Sequence, residues 1–143
     1  MEVEEASYGI IPLKKEGEVW KVLLILHKGG KHWAFPKGRI DPGEEPLETA
    51  VRELKEETGL EVVEFVSREP LSDRYRFRRS GLMVTKSVDY FPAVVAGVVK
   101  LQPEEIEDSK WVILKEAGAH LTFHGAKKIC RSVIELLEEK GGD

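Results

Sequence analysis

Residues 46–59 constrain this chain most. Pro46 suits the first position of a helix. Gly59 is the usual kind of residue just past a helix C-terminus. Between them Leu47, Ala50, Val51, Leu54 and Thr58 recur at the spacing of one buried stripe. At about 100° per residue, with Leu54 as zero, the other apolar residues Leu47, Ala50 and Val51 fall within roughly 60°. Glu57, Glu53 and Glu56 fall at roughly −60°, −100° and −160°. The acidic stripe therefore borders the apolar one, and two of its carboxylates belong at the rim of a core, partly shielded from water.

The flanking segments read as strands. Ala6 to Leu13 is apolar and lightly alternating. Val19 to His27 is a nearly continuous apolar run, the pattern of a strand buried on both faces. The polar turn at Lys14 to Glu18, with Gly17, joins them as a hairpin. Pro36 to Gly43 reads as a loop. Leu60 to Arg68, Ser72 to Arg78 and Thr85 to Val99 are further strand candidates, with an edge or bulge expected at Pro92. Glu104 to Asp108 reads as an acidic loop, Trp111 to Leu114 as a short strand, and His124 to Lys140 as a closing helix ended by Gly141-Gly142. Strands on both sides of a central helix, plus a last helix, predict an α+β or α/β chain: a mixed β-sheet sandwiched between helices, as one domain over residues 1–143.

Composition narrows the function. With 22 basic and 26 acidic residues among 143, the net charge is −4. That balance argues against a stable nucleic-acid partner, which usually demands a basic face. Cys130 is the single cysteine, so neither an internal disulfide nor a multi-cysteine zinc site is expected. The acidic start, Met1 to Glu5, is unlike a signal peptide, and no apolar run approaches a membrane span. A cytoplasmic protein without a membrane partner is the expectation; nothing in the sequence bears on oligomeric state.

Glu53, Glu56 and Glu57 share one helix surface at i, i+3 and i+4. Such clustering is unfavourable by repulsion and desolvation unless a cation is present. A hard divalent ion fits: Mg²⁺ takes a few carboxylates together with waters and substrate phosphates. The competing reading is a solvated acidic face paired with Arg52 and Lys55. The preceding loop favours the metal, because Gly38 and Gly43 allow close backbone approach, Pro36 and Pro42 stiffen it, and Glu44 lies within reach of Arg52.

Gly38, Glu44, Arg52-Glu53-Leu54, Glu56-Glu57 and Gly59-Leu60, at their spacing over 23 residues, resemble the Nudix box at every specified position. The resemblance implies the Nudix fold and hydrolysis of a nucleoside diphosphate linked to another group. It implies Glu53, Glu56, Glu57 and the Gly38 carbonyl as ligands of Mg²⁺, with Mn²⁺ as a substitute. It implies Glu44 and Arg52 as the pair holding the loop to the helix, and Gly59 as a structural member. Glu56, Glu57, Glu53 and Glu105 are the candidate catalytic carboxylates.

The segment His32 to Gly38 is similar to the one before the box in asymmetrical bis(5′-nucleosyl)-tetraphosphatases. That likeness implies a small nucleotide substrate, with Lys37, Lys86 and Tyr90 addressing phosphates and Glu105, six residues before Trp111, assisting metal or water. It implies Phe123 stacking on adenine, with Tyr75 as the opposite wall. His32 is the histidine to test for phosphate contact. The expected reaction is hydrolysis of diadenosine tetraphosphate to ATP and AMP. Rival substrates are diphosphoinositol polyphosphates, suggested by Arg74, Arg76, Arg78 and Arg79, and RNA 5′-ends, although that branch typically carries Gln-Gly-Gly where Pro36-Lys37-Gly38 stands. A rival of another class is a non-catalytic nucleotide sensor, which would be expected to have lost box carboxylates.

Overall fold

The structure, a computed structural model, describes residues 1–141. In chain order these form β1 (Glu2–Glu16), β2 (Val19–His27), β3 (Trp33–Ala34), β4 (Lys37–Gly38), α1 (Pro46–Thr58), β5 (Glu61–Phe65), β6 (Leu71–Arg79), β7 (Leu82–Ala96), β8 (Ile106–Ile113), a 3-10 turn (Leu114–Ala119) and α2 (His124–Gly141). The strands make one mixed sheet. β1 runs parallel to β7 from Glu2 opposite Met83 to Leu13 opposite Val94, and every other pairing is antiparallel.

The expected hairpin of β1 and β2 is present, with Leu13 opposite Val22 and Glu16 opposite Val19. Successive side chains on these strands serve opposite faces. Ile11, Leu13, Val22 and Leu24 join one core with Ala126, Ile129, Cys130 and Val133 of α2. Ile10, Leu23 and Ile25 join the other core with Ala50 and Leu54 of α1. That double burial is why the β2 run is apolar without alternation. The sheet thus lies between the two helices, as expected. Gly142, expected to help end α2, lies outside the described residues.

Three expectations need correction. β1 begins at Glu2, not Ala6, because its pairing with β7 extends over exposed acidic residues that carry no apolar signal. The loop before α1 contains β4, in which Gly38 pairs with Tyr8 and Lys37 with Gly9. β8 begins at Ile106 inside the expected acidic loop; among the described residues it pairs only with β2, and charged residues are usual on such an edge. Pro92 is not on an edge, since β7 has neighbours on both sides, but Val66 and Ser67 N–H both reach its carbonyl (2.9 and 3.5 Å), two residues opposite one as at a bulge. These contacts lie in the interval between β6, which pairs as far as Tyr90, and β5, which starts at Ala93. A residue's N and O point to the same side of a strand, so the missing donor falls in that interval.

Candidate active site

Helix α1 is tied at both ends. Glu48 Oε1 accepts from Glu45 N–H (2.8 Å), and Gly59 (φ 78°) closes the C-terminus with its N–H on Lys55 O (2.9 Å). Thr58 Oγ1, fully buried, donates to Leu54 O (2.7 Å). The helix therefore presents its acidic edge in the rotation predicted from Leu54. Glu57 is buried, Glu53 is half-buried and Glu56 is exposed, following their angular order.

Arg52 is the hub of the loop–helix junction. Its Nε donates to Glu44 Oε2 (2.6 Å), Nη2 to Glu44 Oε1 (3.1 Å) and to Arg39 O (2.9 Å), and Nη1 to Glu53 Oε1 (2.9 Å) and Glu56 Oε1 (3.1 Å). The fork geometry of a guanidinium suits this bidentate grip. The Arg52 hydrogen bonds hold the Glu44 carboxyl down at about 2. Glu44 Oε1 also accepts from Asp41 N–H and Thr49 Oγ1, both at 2.9 Å. Asp41, Thr49 and the Arg39 carbonyl are thus further bracing groups that the sequence reading missed; no sequence pattern marks a backbone acceptor.

Behind this hub lies an electrostatic conflict. The Glu57 carboxyl is pushed up to about 9, first by burial and then by the charge of Glu53, with Glu105 adding to it. Burial also raises Glu53, and the two carboxyls lie within hydrogen-bonding reach of each other. Glu57 Oε1 is buried with no hydrogen-bond partner among the described residues. A β-carbon on Gly38 would collide with the Glu53 carboxylate, so only glycine lets the β4 backbone come this close. Gly9 does the same for β4 from the other side, since a β-carbon there would strike Pro36 O and Lys37. Gly9 was not singled out from sequence. Glu105 is exposed, in the segment 100–106 that docks on the end of α1 through Lys100 N–H to Thr58 O (2.7 Å) and Gln102 N–H to Glu57 O (3.3 Å).

A cavity of about 680 Å³ opens beside these groups, and its lining includes His32, Lys37, Tyr75, Lys86, Tyr90 and Phe123. All six residues expected to meet substrate are therefore brought together. Burial, then the nearby Lys86 charge, lowers the Lys37 ammonium, while Glu57 and Glu53 oppose that shift. Tyr75 and Lys86 are paired across β6 and β7. Thr122 holds the opposite wall to β3: Trp33 N–H donates to Thr122 Oγ1 (2.9 Å) and Thr122 N–H to Trp33 O (3.2 Å). Phe123 is thereby brought against His32, ring centroids 4.7 Å apart, yet stays 52% exposed. A core role for Phe123 is excluded by that exposure. Tyr90, by contrast, is a buried core ring packed edge-on to Phe35 at 5.4 Å.

The sequence model of the NUDIX domain matches residues 4–133, nearly the whole chain. The chain belongs to the Nudix family. A bis(5′-nucleosyl)-tetraphosphatase [asymmetrical] from Caenorhabditis elegans is 30% identical over 116 residues, covering 80% of this chain and 83% of that protein. An RNA pyrophosphohydrolase from Nitratiruptor is 32% identical over 124 residues, covering 76% of each. In other relatives, among them two Bartonella RNA pyrophosphohydrolases, the chain spans only 38% of the relative's length. Among solved structures, a C. elegans Ap4A hydrolase binary complex superposes with a TM-score of 0.74 at 21% identity, covering 94% of this chain and 98% of that one, which is a likeness of fold.

Nudix hydrolases generally need divalent metal, and the residues present fit one. The donors are hard oxygens, one of them buried and orphaned, beside a glycine cradle that a side chain would fill. Among the described residues no three acidic, histidine or cysteine side chains converge as a ready ligand set, because Glu53 and Glu56 are drawn onto Arg52.

Proposed function

We propose that this chain is a Mg²⁺-dependent hydrolase of dinucleoside polyphosphates, splitting diadenosine tetraphosphate into ATP and AMP by water attack on phosphorus. The observation that carries this reading is one cavity where Lys37 and Lys86 meet the exposed rings of Tyr75 and Phe123, with Lys37 in electrostatic reach of Glu57 and Glu53. The metal's ligands would be drawn from Glu53, Glu56, Glu57, Glu105 and the Gly38 carbonyl. Bound Mg²⁺ supplies neutralisation of the phosphate chain and a lower pKa for water.

The chain's own residues supply the rest. Lys37 and Lys86 orient and neutralise the phosphates, with His32 and Tyr90 beside them. Tyr75 and Phe123 offer flat apolar surfaces for a base, where stacking contributes about 1–3 kcal/mol. Arg52 keeps Glu53 and Glu56 on the phosphate side of the helix, and whichever of Glu56, Glu57 and Glu105 is not engaged as a ligand takes the proton of the attacking water.

Diphosphoinositol polyphosphates fit less well. Arg74, Arg76 and Arg79 of β6 are paired with Glu4, Glu2 and Glu5 of β1, so their charge is already matched. RNA 5′-end pyrophosphate removal is the second reading, favoured by the similarity to RNA pyrophosphohydrolases. A substrate panel tests the choice: diadenosine tetraphosphate, diphosphoinositols and 5′-triphosphate RNA, each with and without Mg²⁺, with products resolved. Equal ATP and AMP, lost in Glu56→Gln and Glu57→Gln, supports the proposal. Preferential pyrophosphate release from RNA replaces it with the second reading. Binding without any turnover makes the chain a nucleotide sensor.

A further inference from the structure

The carboxylate of Asp73 lines the cavity and has no work in that reading. Asp73 lies on β6 two residues before Tyr75, hence on the same face of the strand, and both line the cavity. Its carboxylate reaches the opposite wall as well: a β-carbon on Gly125, two residues past Phe123, would collide with Asp73 Oδ2. Asp73 therefore bridges the gap between the strand that carries Tyr75 and the segment that carries Phe123. Its charge is felt at Tyr75 and at Tyr90, where it adds to the effect of burial in raising both phenols.

The neighbours of Asp73 along β6 are committed elsewhere. Ser72 Oγ donates to Asp89 (2.6 Å), and Arg74 pairs with Glu4 (3.4 Å). Asp73 enters no ion pair and accepts no side-chain hydrogen bond among the described residues, although His124 and Lys128 line the same end of the cavity. A half-buried carboxylate beside two apolar rings is costly unless a donor meets it.

We infer that Asp73 reads the edge of the nucleobase held between Tyr75 and Phe123, and that it selects guanine over adenine within the dinucleoside polyphosphate class. This rests on the function proposed above. An ionised carboxylate is an acceptor only. Guanine presents two adjacent donors, N1–H and the 2-amino group, which a carboxylate can accept as a pair. Adenine presents one donor, the 6-amino group, next to the N1 lone pair that a carboxylate repels. Asp73 shares a strand face with Tyr75 and packs on Gly125 just past Phe123, so a base held between those two rings brings its edge to the carboxylate. An asparagine there, with one donor and one acceptor, matches adenine instead.

The test measures equilibrium binding of diguanosine, diinosine and diadenosine tetraphosphates to the wild-type protein by calorimetry in excess EDTA, which suppresses turnover. The guanosine compound should bind about tenfold tighter than the adenosine one, as a paired base contact implies. The inosine compound, which keeps N1–H and lacks the 2-amino group, should fall between them. Asp73→Asn should reverse the order of guanosine and adenosine. If Asp73 only supports the start of α2, the variant will weaken all three equally and lower the melting temperature, which overturns the inference. A wild-type chain that binds guanosine and adenosine compounds within about twofold also overturns it, and needs no variant to fold. Failure of the hydrolase reading is seen separately, as an absence of turnover by the wild type, while the binding ratios still decide the role of Asp73.

Discussion

Replacing Glu57 with glutamine should stabilise the metal-free protein while abolishing turnover. Glu57 is 3% exposed, and burial with the adjacent Glu53 charge lifts its carboxyl from 4.5 to about 9. With the folded pKa raised, the folded chain keeps a proton that the unfolded chain gives up. This contribution to stability is whole below the unfolded value and is lost as pH rises through the folded one. The loss runs at about 1.4 kcal/mol per pH unit, so by pH 7.5 it reaches on the order of 3–4 kcal/mol. Glutamine has a similar shape and no charge, so the variant escapes that loss. For a chain of this length the difference corresponds to roughly 10 °C in melting temperature. Calorimetric melting in EDTA from pH 5 to 8 tests it: the two proteins should melt together near pH 5, and the variant should melt higher by pH 8. Mg²⁺ should raise the wild type far more than the variant, because the cation replaces the shared proton. Parallel curves of melting temperature against pH for the two proteins would refute the buried-carboxylate reasoning.

Four further outcomes are expected. Arg52→Ala, which removes bonds to Glu44, Glu53, Glu56 and the Arg39 carbonyl, should cost about 2 kcal/mol of stability in urea unfolding, with kcat falling more than KM rises. Gly38→Ala should leave the fold's circular dichroism unchanged but weaken Mg²⁺ activation at least about tenfold, since its methyl group enters the space of the Glu53 carboxylate. Phe123→Ala and Tyr75→Ala should each raise KM for dinucleoside substrates about tenfold with little change in melting temperature, because both rings are largely exposed. Excess EDTA should stop turnover, and restoring Mg²⁺ should recover it.

How much of this was legible in the sequence differs between elements for physical reasons. Helix α1 was readable in full, because Pro46, Gly59 and a single apolar stripe each encode it locally, and the angular position of Glu57 even foretold its burial. The glutamate cluster and its partner Arg52 were readable because their spacing is the chemistry. β4 was not, since its pairing depends on the bare backbone of Gly9 about 30 residues away. Nor was the start of β8, where Glu107 and Asp108 occupy an exposed edge and break any apolar period. The pairing of the β6 arginines with Glu2, Glu4 and Glu5 was equally hidden, because it is created by the parallel register of β1 on β7. Asp73 carried no motif; only the convergence of β6 with the start of α2 gives it a place in the cavity.

The central claim is that water attacks the phosphate chain of a dinucleoside tetraphosphate at the Glu53–Glu57 edge of α1. It is tested most directly by turnover of diadenosine tetraphosphate in ¹⁸O-water with Mg²⁺, with products separated and weighed by mass spectrometry. The account predicts equal amounts of ATP and AMP, one ¹⁸O atom in one of the two products per turnover, and no product from Glu57→Gln. Two molecules of ADP per substrate, or full turnover by Glu57→Gln, would contradict it.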